Sequence, residues 1–221
     1  MKKLVEGVRR FQEHLSPEER KQYEELAAKG QHPRAVFVTC ADSRVMPNAI
    51  TDSGPGDLFY VRNAGNIVPP HGPDAGGEAA TIEYALTALG IRQIIVCGHT
   101  QCGAMKAILE TPEKLEPLPS VRQWLRHAET TRQIVAHKYP NVSEKEREVA
   151  AIEENVLVQL NNLSTHPIVA ALLATDELKL FGWVTDIATG GVRQYDADSG
   201  KFVDLTDDGS AISPIPLRTR Q

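Results

Sequence analysis

Hydrophobic residues occur along this chain in two patterns, short continuous runs and longer stripes with helical spacing. The continuous runs cover residues 34–40, 58–61 and 93–98. Such runs are typical of strands that are buried on both faces of a parallel sheet. Between the second and third runs, residues 78–89 have helical spacing and end at Gly90. This strand–helix–strand order predicts parallel strands joined by right-handed crossovers.

Helical stripes cover most of the remaining chain. We predict helices at residues 4–15, 17–29, 103–110, 120–138, 144–160 and 168–173. Ser16 and Ser143 begin two of them as N-caps, each with a glutamate three residues later. Residues 178–187 and 192–196 are predicted to form a hairpin. The predicted fold class is therefore α/β, with a central, mostly parallel sheet of about four strands plus an edge strand, flanked by helices.

The second N-terminal helix has only a thin apolar stripe, formed by Tyr23, Leu26 and Ala27. Because such a helix needs another surface to cover it, we expect the N-terminal helices to pack on a neighbouring subunit. A chain of 221 residues is within the range that one core can organise. We predict a single domain over residues 1–221, with a helical arm at 1–30 and a polar tail at 206–221.

Composition and charge narrow the expected partners. Hydrophobic residues make up 41% of the chain, and no run approaches the ~20 apolar residues that span a bilayer. The net charge of -5, from 24 basic and 29 acidic residues, predicts no affinity for nucleic acid or an anionic membrane. The first residues are amphipathic, with Glu6 and Arg9, and lack a secretion pattern. We therefore expect a cytoplasmic location.

Potential metal ligands follow two of the predicted strands. Cys40 ends the first run, while His99 and Cys102 follow the third run three residues apart. The carboxyl ends of parallel strands meet at one edge of a sheet, so these side chains are expected to lie close together. Thiolate and imidazole are the ligands of zinc, and three protein ligands leave a fourth position for catalysis. The N-terminus of the following helix is expected to lower the pKa of Cys102.

An acid and a base lie just beyond the first cysteine. Asp42 and Arg44 are two residues apart, so in an extended segment they can point the same way. A carboxylate held by Arg44 can accept a hydrogen bond from a zinc-bound water or hydroxide and orient it. An unpaired Asp42 can instead become the fourth zinc ligand. The two residues can also form only a surface salt bridge.

At these residues the chain resembles a known family. Cys40-x-Asp42-x-Arg44 together with His99-x-x-Cys102 is similar to the zinc and dyad signature of the β-class carbonic anhydrases. The similarity extends through Arg62-Asn63-Ala64-Gly65-Asn66 and Glu83-Tyr84-Ala85. It covers most of the chain between about Gly30 and Lys106. The resemblance implies catalytic roles for Asp42 and Arg44.

Within that family the chain looks most like the plant and cyanobacterial branch. Gln31 matches a substrate-binding glutamine, and Phe59 and Tyr84 match apolar pocket residues. The resemblance implies that these three side chains reach the zinc of a neighbouring subunit. Ala64 stands where the plant enzymes have valine, and Gly103 matches a position whose backbone N–H contacts bound anion.

The resemblance implies a function. Zinc-bound hydroxide is expected to hydrate CO₂ reversibly to bicarbonate and a proton, in a homodimer or larger homo-oligomer with shared active sites. A scaffold role in a carboxysome-type compartment can coexist with this activity.

Two other functions stay open at this point. The same hydroxide can hydrolyse carbonyl sulfide or carbon disulfide, for which Ala64 is the single pocket change. A non-catalytic zinc-binding assembly protein is the other alternative. By default, Phe59 and Tyr84 are core aromatics and Gln31 is a polar loop residue. Cys97 is interpreted as a buried apolar side chain and not as a ligand.

Overall fold

The computed structural model describes residues 1–73, 76–205 and 214–215. The strands in these residues are β1 (Ala35–Cys40), β2 (Leu58–Asn63), β3 (Gln93–His99), β4 (Lys179–Thr185), β5 (Val192–Asp196) and β6 (Lys201–Asp204). They form one sheet in the order β2-β1-β3-β4-β5-β6. Neighbours from β2 to β4 are parallel, whereas β5 and β6 are antiparallel additions at one edge.

Helices connect the strands. The α-helices in the described residues are α1 (Lys2–His14), α2 (Pro17–Lys29), α3 (Pro47–Thr51), α4 (Gly77–Thr87), α5 (Gly103–Leu109), α6 (Pro119–Leu125), α7 (Glu129–Lys138), α8 (Glu144–Leu163) and α9 (Pro167–Ala174). The predicted caps of α2 and α8 are confirmed. Ser16 Oγ accepts from the Glu19 N–H at 3.1 Å, and the Glu19 carboxylate accepts from the Ser16 N–H at 2.8 Å. Such a capping box satisfies two backbone donors that the helix leaves free.

The strand register brings the ends of β1 and β3 to one edge of the sheet. Thr39 pairs with Cys97, so β3 continues for two residues beyond that pair, as far as His99. Cys40 is the last residue of β1 and pairs with Asn63 in β2. The segments that follow β1, β2 and β3 therefore leave the sheet side by side, which is where open α/β folds place their sites.

The main core lies between one face of the sheet and helices that include α4, α5 and α8. Its strand residues include Val36, Val38, Ile94, Val96 and Leu180, and its helix residues include Ile82, Leu86, Met105, Val156 and Leu160. Burying each large apolar side chain contributes about 1.5–3 kcal/mol. A smaller cluster on the other face consists of Ala35, Phe37, Ile95, Cys97 and Phe181. The strands are thus buried on both faces, as their continuous apolar runs predict.

The predicted α/β fold with its mostly parallel sheet is confirmed, but the number of strands is not. The expected single edge strand is followed by a second one, β6, which pairs with β5. The sequence pattern did not reveal β6 because four residues carry little periodicity. Tyr195 and Phe202 lie opposite each other in this pair with ring centroids 5.5 Å apart. Cross-strand aromatic pairs of this kind stabilise short strands.

One helix prediction needs correction, and one helix was not predicted. The helix expected at 120–138 is divided into α6 and α7 by a 3₁₀ turn at Arg126–Ala128. Leu125, at the end of α6, and Ala128, in the 3₁₀ turn, both pack in the main core. The short helix α3 was not predicted, because five residues are too few for a helical stripe.

Within the described residues, no single helix is long and apolar enough to cross a membrane; α8 and α9 reach that length and composition only as a pair, which is bent by 87°. Most of the predicted polar tail at 206–221 lies outside the described residues. Of its two described residues, Ile215 donates its N–H to the Leu180 carbonyl at 2.9 Å and packs against the main core.

Candidate metal centre

Three side chains from the two strand ends meet at the edge of the sheet. Cys40 ends β1, His99 ends β3, and Cys102 is the N-cap residue of α5. Their potential ligand atoms all lie within 4.8 Å of one another, and all three residues are buried. Between the last two, Gln101 adopts a left-handed conformation (φ 58°), which turns the chain between β3 and α5.

The His99 ring has one nitrogen ready for a ligand. Its Nδ1 lies 2.9 Å from the Thr100 carbonyl oxygen, so Nδ1 carries the proton and donates it. The Nε2 atom is buried and has no hydrogen-bond partner among the described residues. An unpaired buried polar atom costs about 1–3 kcal/mol. A metal ion removes this cost, and the backbone bond at Nδ1 fixes the required tautomer.

The two cysteines form a pair that shares a proton in the absence of a metal. A hydrogen bond from the Cys102 thiol lowers the pKa of Cys40. The same bond raises the pKa of Cys102, and burial adds to this rise. The second thiolate therefore forms when a cation replaces the shared proton. Two thiolates and one neutral imidazole are a donor set that fits zinc.

The predicted effect of the helix N-terminus on Cys102 is thus outweighed. The backbone N–H groups of Ala104 and Met105 do lower the pKa of Cys102, but the Cys40 sulfur and burial raise it further. The reason is distance: a negative sulfur in direct contact acts more strongly than the partial charge of a seven-residue helix.

Asp42 and Arg44 form the ion pair that their spacing predicts, but the segment is a turn and not extended, since the Val45 N–H donates to the Asp42 carbonyl at 3.1 Å. The Arg44 side chain donates from Nε to Oδ1 at 3.0 Å and from Nη2 to Oδ2 at 2.8 Å, and the Arg44 backbone N–H donates to Oδ1 at 2.9 Å. These hydrogen bonds hold the pKa of Asp42 well below its usual range. Arg44 also donates to the Gln101 side chain and carbonyl, each at 3.2 Å. Gln101 therefore fixes the pair against the second ligand loop.

Arg62 organises the loop that carries this pair. Its guanidinium donates to the carbonyl oxygens of Cys40, Asp42 and Val45 at 3.0–3.2 Å. One side chain from β2 thus holds the backbone of the first ligand loop in place. Neither Arg62 nor Gln101 had a role in the sequence-based site. Two features of the sequence could have indicated these roles. Arg62 and Asn63 are polar residues at the end of an apolar strand, and Gln101 lies between His99 and Cys102.

A tight turn after β2 supplies a further contact to the cysteine. The Gly65 N–H donates to Cys40 Sγ at 3.4 Å. Gly65 has a positive φ of 85°, and an added Cβ would lie 2.9 Å from the Ala104 Cβ. The turn therefore needs glycine both for its backbone conformation and for its close approach to α5.

Replacing Gly65 by alanine is expected to destabilise the protein more than replacing Gly190. Both glycines have positive φ, 85° and 76°, so both variants lose about 1–2 kcal/mol to backbone strain. A Cβ at Gly190 meets no atom within 4 Å, whereas the one at Gly65 clashes with Ala104. Urea unfolding of the metal-free proteins should show an additional loss of about 1–3 kcal/mol for G65A. Equal losses in the two variants would contradict this account of the turn.

The predicted substrate-binding residues are exposed in the single chain except Phe59, which is half-buried and packs against the main core. Phe59 and Tyr84 are in contact, with ring centroids 6.1 Å apart, and Tyr84 is 51% exposed. Their default assignment as core aromatics is wrong for Tyr84. Gln31 is exposed in the segment between α2 and β1, and Ala64 is exposed in the turn after β2. Gly103 begins α5, directly after Cys102, with open space where a Cβ would be.

Cys97 lies outside the ligand group and is fully buried in the smaller core cluster. Burial raises the pKa of Cys97 to about 12. Since thiolates are the reactive form, we expect iodoacetamide at pH 8 to leave Cys97 unmodified in the folded protein and to modify it in urea. Peptide mass spectrometry measures both states. Rapid modification of Cys97 in the folded protein would contradict the assigned burial.

Comparison with known proteins agrees with this geometry. The sequence profile of a family described as carbonic anhydrase matches residues 35–192. A carbonic anhydrase of Synechococcus elongatus is 44% identical over 99% of this chain and 77% of its own length. The solved β-carbonic anhydrase CcaA superposes with a TM-score of 0.90 and is 46% identical, covering 94% of this chain and 92% of that one. A structure from a study of two tetrameric β-carbonic anhydrases of Sordaria macrospora has a TM-score of 0.77 and 27% identity, covering 86% and 94%.

The family resemblance drawn from the two ligand motifs is therefore confirmed over most of the chain. Cys40, His99 and Cys102 all lie within the matched residues. Cys40 and His99 end the strands that the continuous apolar runs predict, and Cys102 caps the helix that follows β3. The chain belongs to the β-carbonic anhydrase family.

Proposed function

We propose that this protein catalyses the reversible hydration of CO₂ to bicarbonate and a proton, at a zinc ion held by Cys40, His99 and Cys102. The observation that carries the proposal is the buried three-ligand group, with a free His99 Nε2, beside the Asp42–Arg44 pair. Three protein ligands distinguish a catalytic zinc site from a structural one, which is closed by four. A bound zinc ion supplies Lewis acidity, which lowers the pKa of water and so provides a nucleophile near neutral pH.

Asp42 has the free acceptor that orientation of this nucleophile requires. A carboxylate offers about four lone-pair sites, two on each oxygen. Within the described residues Oδ1 accepts two hydrogen bonds from Arg44 and Oδ2 accepts one. One site on Oδ2 is left to accept a hydrogen bond from the attacking oxygen. Arg44 keeps the carboxylate ionised and fixes its direction, so Asp42 would orient the nucleophile for attack on CO₂.

We propose that the substrate pocket is completed by a second copy of the chain. Gln31, Phe59 and Tyr84 lie partly or largely exposed in one chain, which leaves an aromatic surface available to a neighbour. Ala64, in the turn after β2, and the Gly103 N–H, at the start of α5, belong to the same proposed pocket beside the zinc ligands. In this arrangement each site draws residues from two subunits.

The N-terminal arm supports this assembly. Helix α1 has no buried residue, although Leu4, Val5, Val8 and Phe11 form an apolar stripe along it. Phe11 is 53% exposed even though it contacts Tyr23 of α2. Covering such a stripe with a neighbouring subunit gains roughly 25 cal/mol for each Å² of apolar surface removed from water. The tetrameric relatives make a homo-oligomer the natural interpretation.

The domain organisation and the location of the protein are also proposals. We propose that residues 1–221 form one domain with residues 1–30 as its arm, and that 206–221 form a mostly polar tail in which Ile215 packs against the main core. A cytoplasmic location fits the cyanobacterial relative, and a carboxysome-type compartment with a scaffold role is the finer proposal.

Isotope exchange tests the proposed reaction at equilibrium. Bicarbonate labelled with ¹⁸O loses its label to water through cycles of dehydration and hydration, which mass spectrometry follows. The zinc-loaded protein is expected to accelerate this loss far above buffer. A chelator should abolish the acceleration, and added zinc should restore it. No acceleration by protein with one zinc per chain would overturn the proposal.

The two alternative functions have less support. Carbonyl sulfide hydrolysis needs the same ligands, and Ala64 is the one pocket residue that favours it. A structural zinc site needs a fourth protein ligand, whereas the ligand group within the described residues has three members. Parallel assays with CO₂ and carbonyl sulfide distinguish CO₂ hydration from carbonyl sulfide hydrolysis as the main activity.

A further inference from the structure

One peptide unit connects a tryptophan to a zinc ligand. The Gly65 N–H donates to Cys40 Sγ at 3.4 Å, and the carbonyl oxygen of the same peptide unit, that of Ala64, accepts from Trp124 Nε1 at 2.8 Å. The described chain has no cis peptide bond, so the C=O and N–H of this unit point in opposite directions. The Trp124 indole and the Cys40 sulfur therefore lie at opposite ends of this peptide unit.

This arrangement strengthens the contact to sulfur. Hydrogen bonds in a chain polarise one another, by about 10–30% per bond. A donor at the Ala64 oxygen makes the Gly65 N–H more positive and holds the peptide plane at a fixed angle to Cys40. A hydrogen bond to a thiolate ligand lowers the electron density on sulfur and orients it toward the metal.

Trp124 itself is held by the fold. It lies on α6, packs against the main core, and meets the His127 ring with centroids 5.4 Å apart. The next peptide unit of the turn is anchored separately, because Asn155 Nδ2 donates to the Gly65 carbonyl at 3.0 Å. The Asn155 Oδ1 accepts from Gln159 at 2.9 Å. The turn is thus held by side chains from two helices, and among the described residues the Trp124 indole is the donor to the peptide unit that faces sulfur.

We propose that Trp124 is a positioning residue for the metal centre, acting through the Ala64–Gly65 peptide to keep the N–H···S hydrogen bond to Cys40. The inference rests on the proposed zinc site and deepens it. Removing the indole N–H frees the peptide to rotate, which weakens the bond to sulfur while all three ligands stay in place. The metal should then be bound more weakly, because the Cys40 sulfur is no longer held in its orientation. The thiolate should also become more electron-rich, because it loses a hydrogen bond.

Cobalt substitution measures this effect directly. The sulfur-to-cobalt charge-transfer band reports the electron density on the thiolates, and cobalt titration reports affinity. In Trp124→Phe the band is expected to move to longer wavelength and the affinity to fall about tenfold, the lower end for loss of a supporting hydrogen bond. Trp124 can also be replaced by β-(3-benzothienyl)alanine, which keeps the bicyclic shape and lacks the N–H. The same shift is expected there, free of any packing change.

Trp183→Phe is the matched control. Its indole also makes one hydrogen bond, to Gln194 Oε1 at 2.9 Å, but in the pair of β4 and β5. This variant should have an unchanged band and an unchanged affinity. A band at the wild-type position in both Trp124 variants would overturn the inference and leave the zinc site standing. Absence of any thiolate band in the wild-type cobalt protein would overturn both.

Discussion

Replacing Cys40 by alanine is expected to abolish stoichiometric zinc binding and, with it, catalysis. Apparent binding free energies of structural zinc sites are about 10–16 kcal/mol, and they are shared among a few ligands. Loss of one thiolate from a three-ligand group should therefore weaken zinc binding at least about a hundredfold. His99→Ala should behave in the same way, because Nε2 is the single imidazole donor of the group.

Cys97→Ala provides the matched control for this experiment. Cys97 is also buried at the centre of the sheet, but it lies outside the ligand group. It should keep one zinc per chain, as measured by atomic emission after dialysis against a weak chelator. Full zinc occupancy in Cys40→Ala would contradict the assigned ligand set. Loss of zinc from Cys97→Ala in a folded protein would show that this cysteine supports the site.

Asp42→Ala is expected to retain zinc and to lose about a hundredfold in kcat/KM for CO₂. The variant removes the acceptor that orients the nucleophile, and it leaves Arg44 as an unpaired cation beside the site. Stopped-flow CO₂ hydration, with zinc content measured on the same sample, checks both statements. Activity near the wild-type level would show that another group orients the nucleophile.

Glu129→Ala controls for the loss of an ion pair as such. Glu129 accepts two hydrogen bonds from Arg132, at 2.8 and 2.6 Å, in a pair of the same bidentate type. This pair lies on the surface of α7, and its removal should leave activity unchanged. Because Arg44 depresses the pKa of Asp42, the carboxylate stays ionised throughout the neutral range. Its protonation should therefore affect activity only below about pH 4, the ordinary value for aspartate.

The meeting of Cys40 and His99, two of the proposed ligands, is predictable because both residues end strands. An apolar run that stops at Cys40, and another that stops before His99, place both residues at one edge of any parallel sheet. The spacing of Asp42 and Arg44 likewise predicts their contact. These features follow from local periodicity and sheet topology, which a sequence displays directly.

Contacts made across elements could not be predicted in the same way. The hydrogen bond from Trp124 to the Ala64 carbonyl joins α6 to a turn sixty residues earlier in the chain. The bonds from Arg62 to three carbonyls depend on the exact path of the loop after β1. Backbone groups carry no residue-specific signal, so their partners become visible only when the chain is folded. The exposure of Tyr84 could not be predicted either, because it depends on how the folded chain packs around that side chain.

We propose that Cys40, His99 and Cys102 hold a zinc ion at which CO₂ is hydrated. Stopped-flow CO₂ hydration by purified protein with one zinc per chain, between pH 7 and 9, tests it most directly. We predict a rate far above that of buffer, proportional to zinc content and absent from Cys40→Ala. A rate equal to buffer in fully zinc-loaded wild-type protein would contradict the claim.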